Sequence, residues 1–90
     1  MIGNLPAAKS VATRVVRSRP AKRSFRIAGH ATSISLEAAF WDALTLAAAR
    51  LDLPVSQLIA DIDSARGDTN LSSAVRVWIL RDLQAQVKNR

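Results

Sequence analysis

The hydrophobic pattern of this 90-residue chain changes its period near residue 37, and this change limits the possible folds more than any other feature. Before that point apolar or β-branched residues alternate with small or charged ones: Phe25, Ile27, Thr32, Ile34 and Leu36. A period of two is typical of strands that bury one face. After that point apolar residues recur every three or four positions, as they do in a helix. The sequence therefore predicts a short β segment followed by helices.

The β segment can be arranged in two ways, and the pattern allows both. Gly29 and His30 can form a two-residue turn that pairs Phe25 with Ile34 inside one chain. Alternatively, residues 31–36 pair with the same strand of a second copy. A buried backbone group without a partner costs on the order of 1–3 kcal/mol, and an isolated hairpin is only marginally stable. These costs favour a symmetric dimer built on an antiparallel two-stranded ribbon.

The first predicted helix begins at Glu37, with Ser35 as its N-cap, and ends at Asp52-Leu53-Pro54. Its residues Phe40, Leu44, Ala47, Ala48 and Leu51 form one apolar stripe, which should face the core.

The second predicted helix has Pro54 in its first turn and is closed by Gly67. Asn70 then caps a third helix. More than half of the circumference of this third helix is apolar, which predicts burial on several sides. Its apolar residues are Leu71, Ala74, Val75, Trp78, Ile79, Leu80, Leu83 and Val87.

Positive charge is concentrated at the start of the chain. Residues 1–36 hold seven Lys and Arg residues and no acid, whereas residues 37–90 hold six cations and seven acids, so the charge divides into +7 and −1. The sequence is divided accordingly into a flexible basic arm, residues 1–21, and a domain, residues 22–90. Such an arm is compatible with binding to a polyanion, because contacts with phosphates release condensed counterions. It is equally compatible with a solvated tail that only aids solubility.

The residues needed for catalysis are scarce in this chain. It has one histidine and neither cysteine nor tyrosine, so nucleophile and base constellations lack their parts. His30 is interpreted as a turn residue, and Arg50, Arg66, Arg76 and Arg81 as solvated helix charges. We therefore expect no enzyme, no metal site and no cofactor. No apolar run is long enough to cross a bilayer, so a cytoplasmic protein without membrane contact is expected.

Three stretches of sequence carry a family resemblance: residues 32–44, the Ser56-Gln57-Leu58-Ile59 run, and the Asn70-Leu71-Ser72-Ser73-Ala74-Val75-Arg76 run. They resemble a bacterial ribbon-helix-helix subfamily of short proteins that bind DNA, within the Arc/MetJ-type superfamily. The likeness covers about residues 22–83. It implies a mainly α fold in which one strand, or a hairpin, precedes three helices and two chains share a ribbon that enters the major groove.

The resemblance also implies positions for the site. The implied DNA-binding residues are Lys22, Arg23, Arg26, Ala31, Ser33, Ser35 and Ser56. The start of the second helix, at Val55, Ser56 and Gln57, is expected to point free N–H groups at a phosphate. The implied dimer core consists of Ile34, Leu36, Phe40, Trp41, Leu44, Leu58 and Ile59.

Two functions are compatible with these features. The first is a homodimeric regulator of transcription that binds double-stranded DNA through the ribbon and grips phosphates with the arm. The second is a protein-interaction module, of the antitoxin or adaptor kind, that engages another protein through the third helix or the basic arm.

Overall fold

A computed structural model of the chain describes residues 19–88. Two strands are followed by three helices: β1 (Pro20–Ile27), β2 (His30–Glu37), α1 (Ala38–Arg50), α2 (Val55–Ala65) and α3 (Leu71–Lys88). Strand β1 begins two residues before the boundary that the charge distribution suggests. Most of the predicted basic arm, residues 1–18, lies outside the described residues.

Strands β1 and β2 form an antiparallel hairpin within one chain. Of the two arrangements that the sequence allows, the described residues adopt the intrachain one, so the fold has two strands and not one. The predicted turn and register were wrong: Ala28 and Gly29 form the turn, and Phe25 pairs with Thr32 instead of Ile34. Ala28 and Gly29 both have positive φ, 52° and 82°, which a type I′ hairpin turn requires.

The start of α1 also differs from the prediction. Glu37 is the N-cap, it makes no side-chain capping hydrogen bond, and the helix begins at Ala38. Ser35 is not the cap because it lies two residues before Glu37, the last residue of β2. The other predicted ends are close to the structure: α1 stops before Asp52, whose φ is 59°, and the Oδ1 of Asn70 accepts a hydrogen bond from the backbone N–H of Ser73 at 3.2 Å.

The core lies between the inner face of the hairpin and the three helices. Ile34, Leu36, Leu44, Ile59 and Val75 have no exposed surface, and Trp41 is 2 % exposed. Fully burying a large aliphatic side chain contributes about 1.5–3 kcal/mol, so this cluster is the main source of stability.

Helix α3 buries one face only. Leu71, Val75 and Ile79 are buried, whereas Leu80 and Leu83 are about half exposed. The prediction that this helix is buried on several sides is therefore wrong for the described chain. Helices α1 and α2 and strand β2 all contact α3, yet its buried residues lie on one face.

No single helix among residues 19–88 is long and apolar enough to span a membrane. Helices α1 and α2 pass that test only as a pair, and the pair is bent by 100°.

Candidate nucleic-acid interface

Alternate residues of the hairpin form a polar face that points away from the core. We call it the outer face; it consists of Lys22, Ser24 and Arg26 on β1 and Ala31, Ser33 and Ser35 on β2. Residues opposite each other in an antiparallel pair share a face. The buried Ile34 and Leu36 and their partners Arg23 and Ala21 therefore lie on the face toward the helices, and these six residues lie on the opposite face. The structure thus brings together five of the seven residues that the family resemblance implied. Ser24 was missed, although the alternation along β1 already places it on the same face as Lys22 and Arg26.

The side chains of the outer face are small in the middle and cationic toward the ends of β1. Lys22 lies opposite Ser35, and Arg26 lies opposite Ala31. Between them the hydroxyls of Ser24 and Ser33 are 3.3 Å apart. The guanidinium of Arg26 donates to the carbonyl of Gly29 at 3.4 Å, which keeps this cation beside the turn. On β2 alone the outward residues are an alanine and two serines; the hairpin supplies the long basic side chains from β1.

Arg23 is placed differently from the other predicted DNA-binding residues. It lies opposite Ile34, on the inner face, and its guanidinium carbon is 4.6 Å from the centre of the Trp41 ring. A cation over an aromatic ring is attracted by the ring quadrupole. Arg23 therefore covers the edge of the core instead of sharing a face with Lys22 and Arg26.

Trp41 attaches β1 to the helices. Its Nε1 donates to the backbone carbonyl of Ala21 at 2.9 Å, and its ring lies 5.9 Å from that of Phe25. These contacts, together with Arg23, hold three consecutive inward positions of β1. The hairpin is thus held in place on a helix, whereas an isolated hairpin would be marginal.

The free edge of β2 is partly closed by α3. The backbone N–H of Ser35 donates to Oγ of Ser72 at 3.3 Å, and the carbonyl of Ser35 accepts from Arg76 at 3.2 Å. Arg76 also donates to the carboxylate of Glu37 at 3.0 Å and lies over the ring of Phe40. The hydrogen bond from its own backbone N–H, followed by that from Arg76, lowers the pKa of Glu37 below its usual 4.5.

Three of the four helix arginines that were interpreted as solvated charges also form ion pairs that were not predicted. Arg76 bridges β2 and α3, Arg50 donates to both carboxylate oxygens of Asp82 at 2.7 and 2.8 Å, and Arg66 pairs with Asp63. The Arg50 and Arg76 pairs join residues that are far apart in the sequence. The chain carries no local signal for them.

Ser56 lies in the first turn of α2, outside the hairpin, and its side chain is exposed. The neighbouring backbone N–H of Gln57 is not free, contrary to prediction, because it donates to the carbonyl of Pro54 at 3.0 Å. A phosphate contact at Ser56 stays a prediction.

The residues assigned to a dimer core are buried by their own chain. Ile34, Leu36, Trp41, Leu44, Leu58 and Ile59 are at most 3 % exposed without a second copy, and Phe40 is half-buried. Because β1 satisfies β2 along one edge, the backbone argument for a twin strand no longer applies. Dimerisation itself stays a prediction.

The site has the composition of a binding surface. Within the part of the chain that the structure describes, no group of three His, Asp or Glu side chains could hold a metal ion. The outer face offers cations and hydroxyl groups, which bind phosphates and base edges through hydrogen bonds.

The comparisons with known proteins agree with this architecture. The family model described as a ribbon-helix-helix domain matches residues 20–83, from the first residue of β1 into α3. No curated protein and no solved structure matches the chain. Ribbon-helix-helix domains in general are non-enzymatic, dimerise and bind DNA. Since the match covers most of the chain, this protein belongs to the ribbon-helix-helix domain family.

Proposed function

We propose that this protein binds double-stranded DNA and regulates transcription, with the outer face of the hairpin lying in the major groove. The observation that carries the proposal is that one face of a two-stranded ribbon combines Lys22 and Arg26 with a row of small polar residues. The major groove of B-DNA is wide enough to admit a two-stranded ribbon.

The chemistry of this face suggests how the contacts divide. Lys22 and Arg26 stand near the two ends of the ribbon, where they reach phosphates or a guanine edge. Ser24 and Ser33 are short, so the backbone of the ribbon can approach the base edges closely, and a hydroxyl can donate or accept. Arg23 stabilises the ribbon from behind by stacking on Trp41.

Binding that depends on phosphates weakens as salt is added. We expect fluorescence anisotropy with duplex DNA to give an affinity that falls linearly on a log–log plot against salt, with a slope of about −0.9 per phosphate contacted. Binding that is negligible at low salt, or that ignores salt, would overturn the proposal.

A matched pair of variants tests the face. Arg26→Ala and Arg23→Ala remove the same group from the same strand, three residues apart, on opposite faces. Arg26→Ala is expected to weaken binding and reduce the salt slope by about one. Arg23→Ala is expected to lower thermal stability and leave the salt slope nearly unchanged. If a folded Arg23→Ala variant lost more affinity for DNA than Arg26→Ala, the outer face would not be the DNA-binding face.

A further inference from the structure

A groove of about 350 Å³ lies between helices α2 and α3, away from the hairpin; we call it the α2–α3 groove. Ala74, Trp78 and Arg81 line it from α3, and their spacing of four and three residues places them on one side of that helix. Ile62 and Arg66 line it from α2. Sites for small molecules have volumes of this size and combine an apolar lining with a few polar groups.

The charge of the α2–α3 groove is positive. Two of its lining residues, Arg66 and Arg81, are cations, and none of the described residues that line it is an acid. Asp63 pairs with Nε of Arg66, and a terminal nitrogen of Arg66 donates to the carbonyl of Thr69 at 2.6 Å, so this guanidinium is held in place. Within residues 19–88, Arg81 takes part in no ion pair. One positive charge at the groove is therefore left for an anion.

The apolar part of the groove favours an anion with a flat, apolar body. Ile62 is almost fully buried, and the large indole of Trp78 is half-buried. Aromatic rings pack well against an indole in offset-stacked or tilted arrangements. The planar guanidinium of arginine presents paired N–H donors that match the two oxygens of a carboxylate. A ligand that carries both groups satisfies the cation and the apolar lining together.

We propose that the α2–α3 groove binds a small aromatic carboxylate, with the carboxylate on Arg81 and the ring against Trp78. The two contacting residues are one helical turn apart on α3, so they are about 5 Å apart along the helix axis. The DNA-binding face proposed above lies on the hairpin, so occupation of this groove can be measured without DNA and does not depend on the outcome of the DNA-binding tests.

The two tryptophans provide the first test, because the chain has no others. Two-dimensional ¹H–¹⁵N spectra of the full chain should be recorded during a titration with 2-naphthoate. The indole N–H signal of Trp78 should shift and reach saturation. The indole of Trp41 is buried and bonded to Ala21, so its signal should move much less. Shifts that do not saturate, or equal shifts of the two signals, would overturn the proposal.

Two further probes separate the charge from the ring. 2-Naphthamide keeps the rings and loses the charge, whereas acetate keeps the carboxylate and loses the rings. Each should bind at least about tenfold more weakly than 2-naphthoate, a difference that corresponds to the loss of one charged contact or one buried ring. Equal affinity for 2-naphthamide would show an unspecific apolar surface, and equal affinity for acetate or inorganic phosphate would show an unspecific anion site. Either result would refute the proposal.

A matched pair of variants tests the role of Arg81. Arg81→Gln and Lys88→Gln each remove one positive charge from an exposed side chain of α3, but only Arg81 lines the groove. The two positions are roughly 10 Å apart along the helix, where salt screens most of the influence of an exposed charge. Arg81→Gln should weaken binding of 2-naphthoate by about tenfold, and Lys88→Gln should leave it nearly unchanged. An unaltered affinity in Arg81→Gln, or equal losses in both variants, would exclude Arg81 as the carboxylate-binding residue and with it the proposed site.

Discussion

The two faces of the hairpin are built from alternate residues of the same two strands, yet they differ in polarity and in burial. The inner face holds Phe25, Ile34 and Leu36 against Trp41. The outer face holds cations and serines in water. Because neighbouring residues point to opposite sides, a change at one position should affect the stability of the fold, and a change at the next should affect binding.

The comparison also shows why a basic residue cannot be assigned a role from its type alone. Arg23 and Arg26 lie on one strand and carry the same charge, but Arg23 stacks on a buried ring while Arg26 lies beside the turn on the outer face. Their roles differ because strand parity assigns them different surroundings.

The largest expected effect is on the inner face. Trp41→Ala should lower the free energy of unfolding by about 3–5 kcal/mol, because it empties a buried site, and it also removes the hydrogen bond to Ala21. Chemical denaturation would measure the loss. Ser33→Ala, on the outer face, is the control and should change stability by less than about 0.5 kcal/mol. Equal losses from the two variants would abolish the distinction between the faces.

A smaller effect, on binding alone, is expected on the outer face. Ser33→Asp places a carboxylate where DNA phosphates and base acceptors would approach, and should weaken DNA binding by about tenfold, which corresponds to roughly 1.4 kcal/mol. Ser33→Asn introduces a side chain of the same shape as aspartate but without its charge, so its affinity for DNA should be closer to that of the wild type. Anisotropy titrations would separate the two, and unaltered affinity in a folded Ser33→Asp protein would exclude this face.

The turn that joins β1 to β2 offers a gain of stability. Ala28 has a φ of 52°, in the left-handed region that costs a residue with a Cβ roughly 1 kcal/mol. Ala28→Gly should therefore raise the thermal midpoint slightly, although added freedom in the unfolded chain offsets part of the gain. Gly29→Ala should lower the thermal midpoint, since the φ of Gly29 is 82° and alanine is strained in this conformation. A steric clash does not contribute, because an added Cβ would meet no atom within 4 Å. A reversal of the two signs would contradict the turn geometry.

The smallest expected effect is at the junction of β2 and α3. The folded pKa of Glu37 is lowered, so its contribution to stability is present above pH 4.5 and is lost as the pH falls through the folded value. Glu37→Gln should be less stable than the wild type near neutral pH, and the gap should close in acid. Urea midpoints along a pH series would show this, and a gap that stays constant would indicate that the Glu37 carboxylate is not the titrating group.

Much of the fold follows from local pattern. The switch of period near residue 37, the Asp52-Leu53-Pro54 run after α1 and Asn70 at the start of α3 mark element ends to within a few residues. The hairpin register could not be predicted in the same way. Moving Phe25 from Ile34 to Thr32 shifts the pairing by two residues, which keeps every side chain on its own face, so the alternation is satisfied by either register.

The contacts of two arginines were missed for one reason. Arg50 and Arg76 acquire their roles from partners that are distant in sequence, namely Asp82 and Glu37. For α3 the prediction failed for a different reason, since this helix has more apolar residues than the chain buries. Its composition predicted burial, and the structure shows that the chain covers only half of it.

By itself the sequence determined which residues face the core, where helices replace strands, and that positive charge is concentrated ahead of the helical body, because these properties depend on the spacing of neighbouring residues. Only the tertiary structure decided that β2 finds its partner in its own chain, that Arg23 stacks on Trp41, and that one side of α3 stays uncovered. Those outcomes depend on contacts between distant segments, and no periodicity records such contacts.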